Sequence, residues 1–189
     1  MNSNTEIWDE FAPLVPENTL MIAVEAPLKT DVNKYRWYDI NVSKKPFVSN
    51  VDQMIKTIAR LLKFIDNLKL QYNFDSKNVV LAGFSQGAIL SLNVALSNPD
   101  SVNFVGVFSG MLPGKIEDRT TNNTNELSVF LTHGSLDKGI DISDAKKIKS
   151  FLDQKNINVK MTVEEIDHSI TAKQFQDFIN WYKAKNLSE

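Results

Sequence analysis

Apolar positions along this chain recur with two periods. Between residues 51 and 70, Met54, Ile55, Ile58, Leu61, Leu62 and Ile65 fall at helical spacing, which predicts a long amphipathic helix. Short apolar or alternating runs at 19–25, 79–83, 104–108, 128–133 and 159–166 predict strands. The first is closed by Ala26-Pro27. Helices are predicted at 86–97, 143–155 and 171–185, the first of them apolar enough to be buried and stopped by Asn98-Pro99-Asp100. Residues 28–49 read as polar and irregular around Trp37, and residues 114–126 as polar, with a surface loop at 120–125. Strands alternating with helices imply an α/β fold with a mainly parallel sheet, helices on both faces. No linker or internal repeat divides residues 1–189, so a single domain is expected.

Composition narrows the classes of partner. The chain has 189 residues, 42% apolar and 23% charged, enough for one sizeable core. A net charge of −2 gives no electrostatic case for nucleic acid or an anionic membrane. No apolar run reaches the roughly 18 residues that a spanning helix needs, so no integral membrane segment is expected. The chain has no cysteine, which excludes disulfides and thiolate metal sites, and its first residues lack the basic and apolar segments of a secretory signal. A cytoplasmic protein is the expectation. Oligomeric state is left open.

Chemistry enters at Gly83-Phe84-Ser85-Gln86-Gly87, where the strand at 79–83 runs into the helix that follows. Strand, Gly-x-Ser-x-Gly and helix together are the pattern of a nucleophile elbow. The turn is tight enough to strain the serine backbone and push its hydroxyl above the sheet, and small residues at 83 and 87 relieve clashes. The helix N-terminus then faces any oxyanion formed there.

A serine nucleophile needs a base and an acid, which in this topology come later in the chain. There are only two histidines. His168 follows the last strand and sits where a base is needed, whereas His133 lies at a strand end ahead of every acid candidate on its loop. Asp137, just past His133-Gly134, is the favoured acid. Asp141 and Asp144 are rivals that also suit the start of the helix near 143, where acids favour the dipole. Asp167 adjoins His168 in sequence, and adjacent side chains usually point apart.

These residues carry a resemblance. Gly-Phe-Ser-Gln-Gly-Ala, Phe108-Ser109-Gly110-Met111-Leu112-Pro113, His133-Gly134-Ser135-Leu136-Asp137 and His168-Ser169-Ile170, in that order, resemble the phospholipase/carboxylesterase family of α/β-hydrolases, and Trp37-Tyr38-Asp39 resembles the family's segment ahead of the long helix. The resemblance covers nearly the whole chain from about residue 8 onward. It implies Ser85 as nucleophile, Asp137 as acid, His168 as base and the Gln86 backbone N–H as an oxyanion donor. It also implies an apolar strand and a His-Gly-x-Gly loop ahead of Trp8-Asp9-Glu10-Phe11, which supply the second oxyanion donor. The chain begins too late to contain them. By that topology the absent strand lies between those at 20–25 and 79–83, leaving a gap with unpaired backbone groups. Either Met1 is an internal methionine of a longer protein or this is a natural short form, inactive in the extreme case. The intact downstream motifs favour the first.

The expected activity is hydrolysis of carboxylic esters through an acyl-enzyme on Ser85, with no metal and no cofactor and a small-molecule or lipid acyl ester as substrate. An acyl-protein thioesterase or lysophospholipase is the alternative within the enzyme class, and a non-catalytic truncated homologue is the alternative outside it. Trp37, Met111 and Leu112, with Pro113, are candidates for an acyl pocket. Ordinary core packing accounts for any one of them equally well.

Overall fold

The computed structural model describes residues 4–32, 34–44, 47–75, 77–112, 120 and 126–186. Its centre is a four-stranded parallel sheet of β5 (Val80–Phe84), β6 (Phe104–Phe108), β7 (Ser128–Gly134) and β8 (Asn158–Glu164), hydrogen-bonded in that order. Helix α2 (Val51–Gln71) precedes β5, α3 (Gln86–Ser97) follows it, α4 (Ile142–Gln154) joins β7 to β8, and α5 (Ala172–Asn186) follows β8. The predicted parallel α/β arrangement is therefore the one observed.

Strand periodicity divides the core into two layers. Val105 and Val107 of β6, with Val129 and Leu131 of β7, join Met54, Ile58 and Ile65 of α2 and the buried residues of α3 and α4 in one cluster. Phe108 and Phe130 belong to the other cluster, with Phe175, Phe178, Ile179 and Trp181 of α5. Alternate residues of one strand thus face opposite layers. Every residue of β7 is buried, which suits a parallel strand covered on both faces. Each fully buried Leu or Phe contributes about 1.5–3 kcal/mol relative to exposure.

The N-terminal part departs from the prediction in three places. Helix α1 (Asn4–Phe11), followed by a 3₁₀ turn at Ala12–Leu14, brings Phe11 onto Phe175 with ring centroids 4.7 Å apart. The stretch 28–49, expected to be irregular, contains two small antiparallel ladders: β1 (Leu28–Asp31) with β2 (Lys34–Arg36), and β3 (Ile40–Asn41) with β4 (Val48–Ser49). The strand expected at 19–25 is not formed among the described residues. Leu20, Ile22 and Val24 are exposed while Met21 packs against the phenylalanine layer. The segment keeps the alternation of a strand but has no neighbour to complete a ladder. Correspondingly, β5 pairs only with β6 among the described residues and forms an edge of the sheet. The expected loop at 120–125 lies outside the described residues except for Thr120, and so does Pro113.

Candidate active site

Ser85 sits between β5 and α3 with φ 53° and ψ −115°, outside the regions that L-residues ordinarily occupy. Its backbone N–H donates to the Phe108 carbonyl at 2.9 Å, and its carbonyl accepts the first α3 bond, from Ile89 N–H, at 3.1 Å. The turn is thus held from both sides. A Cβ at Gly83 would run into the backbone of Gly87, so glycine there is a steric requirement. The same argument was expected to hold at 87 and does not. A Cβ there would make ordinary contact with Trp37 Nε1 at 3.6 Å. The Ser85 hydroxyl makes no helix-cap bond.

That hydroxyl instead lies 3.0 Å from His168 Nε2. On the far side of the ring, His168 Nδ1 lies 2.6 Å from Asp137 Oδ2. The structure thus brings Ser85, His168 and Asp137 together although they are far apart in sequence. The His168 side chain is 32% exposed, whereas that of Asp137 is fully buried. The Phe84 ring packs against the imidazole with centroids 4.9 Å apart. The Asp137 carboxylate has divided duties: Oδ1 accepts the backbone N–H groups of Gly139 and Ile140 at 2.8 and 2.9 Å, leaving Oδ2 for the imidazole.

The loops carrying acid and base are zipped together. Ser135 N–H donates to the Glu164 carbonyl at 2.8 Å and Leu136 N–H to the Ile166 carbonyl at 3.0 Å. The approach is so close that a Cβ on Gly134 would strike the Ile166 carbonyl oxygen. Beyond His168, Thr171 and Gln174 form a reciprocal capping box: Thr171 N–H donates to Gln174 Oε1, and Gln174 N–H to Thr171 Oγ1, each at 3.1 Å. Gln174 Nε2 also donates to Thr132 Oγ1 at 3.0 Å, tying the start of α5 to β7. The Thr-x-x-Gln spacing was a readable sign of this cap.

The rival acids have other positions. Asp141 is the N-cap of α4 and accepts from Ser143 N–H at 2.8 Å. Hydrogen bonding from Ser143 holds its carboxyl below the usual range for a carboxylate. Asp144, in the first turn of α4, pairs with Lys147 at 2.8 Å. The Asp167 carbonyl accepts from Ser169 N–H at 2.9 Å in the turn that carries His168.

Gln86 contributes more than the backbone N–H expected of it. Its buried side chain accepts from Trp37 N–H at 2.9 Å and donates to the Tyr38 carbonyl at 2.7 Å. Helix α2 grips the same segment from another side. Thr57 Oγ1 donates to the Trp37 carbonyl at 2.9 Å, and Gln53 accepts from Asp39 N–H and donates to its carboxylate at 2.6 and 2.9 Å. Trp-Tyr-Asp is thereby clamped between two helix N-termini, which periodicity alone could not reveal. As the first residue of α3, Gln86 also offers an N–H with no acceptor inside the helix, beside the Ser85 hydroxyl.

The pocket candidates are spread out. Met111 is buried in the layer shared with α2, α3 and α4, and Trp37 and Leu112 are half-buried against it. An open depression of about 580 Å³, lined by Ile40, Val42 and Val48 among others, lies on the β3–β4 ladder and includes none of Ser85, Asp137 and His168.

Strand order, elbow and the loops beyond β7 and β8 define an α/β-hydrolase fold. Consistent with this, the solved carboxylesterase of Bacillus cereus superposes with a TM-score of 0.84 at 20% identity, over 97% of this chain and 83% of that one. The chain belongs to the phospholipase/carboxylesterase family, whose profile matches residues 16–186. Curated relatives include a probable carboxylesterase SOBER1-like of Arabidopsis thaliana, 26% identical over 157 residues and 80% of this chain. Acyl-protein thioesterase 1 of Candida albicans is 26% identical over 156 residues, 78% of this chain and 67% of that protein. The chain spans 60% of the length of the Arabidopsis relative. Among the described residues no helix is long and apolar enough to cross a membrane.

Proposed function

We propose that this chain hydrolyses carboxylic esters through an acyl-enzyme on Ser85. The observation that carries the reading is the hydrogen-bonded series Ser85 Oγ, His168 Nε2, His168 Nδ1 and Asp137 Oδ2, at 3.0 and 2.6 Å. In the proposed reaction His168 Nε2 takes the Ser85 hydroxyl proton as Oγ bonds to the acyl carbon. The tetrahedral oxyanion lies against the Gln86 N–H and the positive end of α3. His168 returns the proton to the leaving oxygen as the carbon–oxygen bond breaks, and Asp137 stabilises the imidazolium without taking the proton. Water deprotonated by His168 then releases the acid and restores Ser85.

The substrate class is drawn from the company the chain keeps. Relatives named as carboxylesterase and as acyl-protein thioesterase share the family, and both substrates present an acyl carbon to the same serine. A thioester or lysophospholipid is therefore the second reading. A sharp preference for short acyl esters in a chain-length series would count against it. A cysteine-free chain suits the reducing cytoplasm, where we expect it to act.

The test is intact-mass analysis after exposure to a fluorophosphonate, with Ser85→Ala alongside. One adduct, absent in the variant, is the expected result. No adduct on a chain shown to be folded by circular dichroism would overturn the proposal and favour a non-catalytic form.

A further inference from the structure

Two histidines converge on Asp137, and only one has been given a task. His133 is the penultimate residue of β7 and is fully buried. Its Nε2 lies 2.8 Å from the Ile140 carbonyl oxygen and 3.5 Å from Asp137 Oδ2. Both neighbours only accept, so the proton of this imidazole belongs on Nε2. Its Nδ1 is buried without a hydrogen-bond partner among the described residues, which suits a bare ring nitrogen and not an N–H.

The Ile140 carbonyl is a consequential place to hold. Ile140 donates its own N–H to Asp137 Oδ1, and Asp141, one residue on, caps α4. The turn 137–140 is therefore fixed at its far end by His133 and by the start of α4. Within it, the carboxylate is rotated so that Oδ1 faces the turn and Oδ2 faces His168. We infer that His133 is a positioning residue for the proposed reaction: its Nε2–H holds the Ile140 carbonyl and thereby aims Asp137 Oδ2 at His168. The inference deepens the reading of His168 as base and rests on it.

The geometry separates this role from mere filling of space. The side-chain amide nitrogen of glutamine reaches about as far from the backbone as imidazole Nε2, so His133→Gln keeps a donor toward Ile140. His133→Leu keeps bulk and burial but removes the donor. A space-filling role makes the apolar variant the better tolerated of the two, and a positioning role makes it the worse.

Because the chain has two histidines, ring-¹⁵N-labelled protein gives a spectrum of two imidazoles, assigned with His168→Gln. In the wild type His133 is expected as the Nε2–H tautomer. The His168 Nδ1 proton is expected far downfield and protected from solvent exchange by its bond to Asp137. His133→Gln should retain that proton and most of the fluorophosphonate labelling rate. His133→Leu should lose the signal and label about 10²-fold more slowly, as for a misplaced catalytic group. An unchanged His168 signal in folded His133→Leu, or a wild-type His133 protonated on Nδ1, overturns the inference. If His133→Leu does not fold, the wild-type tautomer together with the His168 signal in His133→Gln decides the matter. Failure of the wild type to label would overturn the proposed function while leaving the spectra to judge His133 separately.

Discussion

Strands β6 and β7 have hydrogen-bonded neighbours on both sides and bury nearly all of their residues, whereas β1 to β4 form two separate two-stranded ladders with exposed side chains. The candidate residues Ser85, Asp137 and His168 lie at or just beyond the C-terminal ends of β5, β7 and β8 in the parallel sheet, of which β7 is paired on both sides and β5 and β8 on one among the described residues. The N-terminal part meets them through one strap, Trp37-Tyr38-Asp39, held by side chains of α2 and by Gln86. The difference shows where precision in this molecule comes from. The parallel ladders hold the ends of β5, β7 and β8 in register, while the segment between the short antiparallel pairs is held by side-chain clamps.

Substitutions can press on that division, beginning with the largest effect. Asp137→Asn should keep the buried turn but lose the anion opposite His168. We expect fluorophosphonate labelling and ester turnover to fall by about 10⁴-fold with little change in thermal stability. Phe130→Ala opens the phenylalanine layer between β7 and α5 and should cost about 3–5 kcal/mol in urea unfolding. Gln86→Ala breaks the joint between the two regions. Two bonds to backbone groups of Trp37 and Tyr38 are lost, at about 1–3 kcal/mol if those groups stay dry. Amide exchange should rise selectively around residues 37–39 if the strap is held as described. Leu20→Ser lies on the exposed, unpaired segment and should change stability by less than about 0.5 kcal/mol. A loss of several kcal/mol there would show that the segment is packed against something in solution, and the contrast between regions would fail.

The sheet was legible because β6 and β7 are covered on both faces and therefore nearly uniformly apolar, as at Val129, Phe130 and Leu131, because β8 alternates, and because helices at 3.6-residue spacing separate the strands. The segment at 19–25 was misread for the same reason. Alternating apolar residues state that a strand is possible, but the ladder requires a neighbour, and none lies beside it among the described residues. The ladders within 28–49 escaped notice because β3 and β4 contain two residues each, too few for any period to register. At the site, the elbow announced itself through Gly83 and Ser85, since backbone crowding restricts which residues can stand there. The choice among Asp137, Asp141 and Asp144 could not be made from residue type, as all three are carboxylates within one loop and helix start.

By itself, then, the sequence determined the alternation of strand and helix, the two-layer core and the strained serine turn, because each depends on residues adjacent or regularly spaced in the chain. Only the tertiary structure decided that Asp137, favoured from its place after β7, meets His168, that His133 Nε2 lies against the Ile140 carbonyl, and that Gln86 carries the Trp37 strap. Those are contacts between residues some 30 to 50 positions apart, or around a loop whose course no local preference prescribes. Their partners are selected by the register of the parallel sheet, which brings the ends of β5, β7 and β8 to one edge.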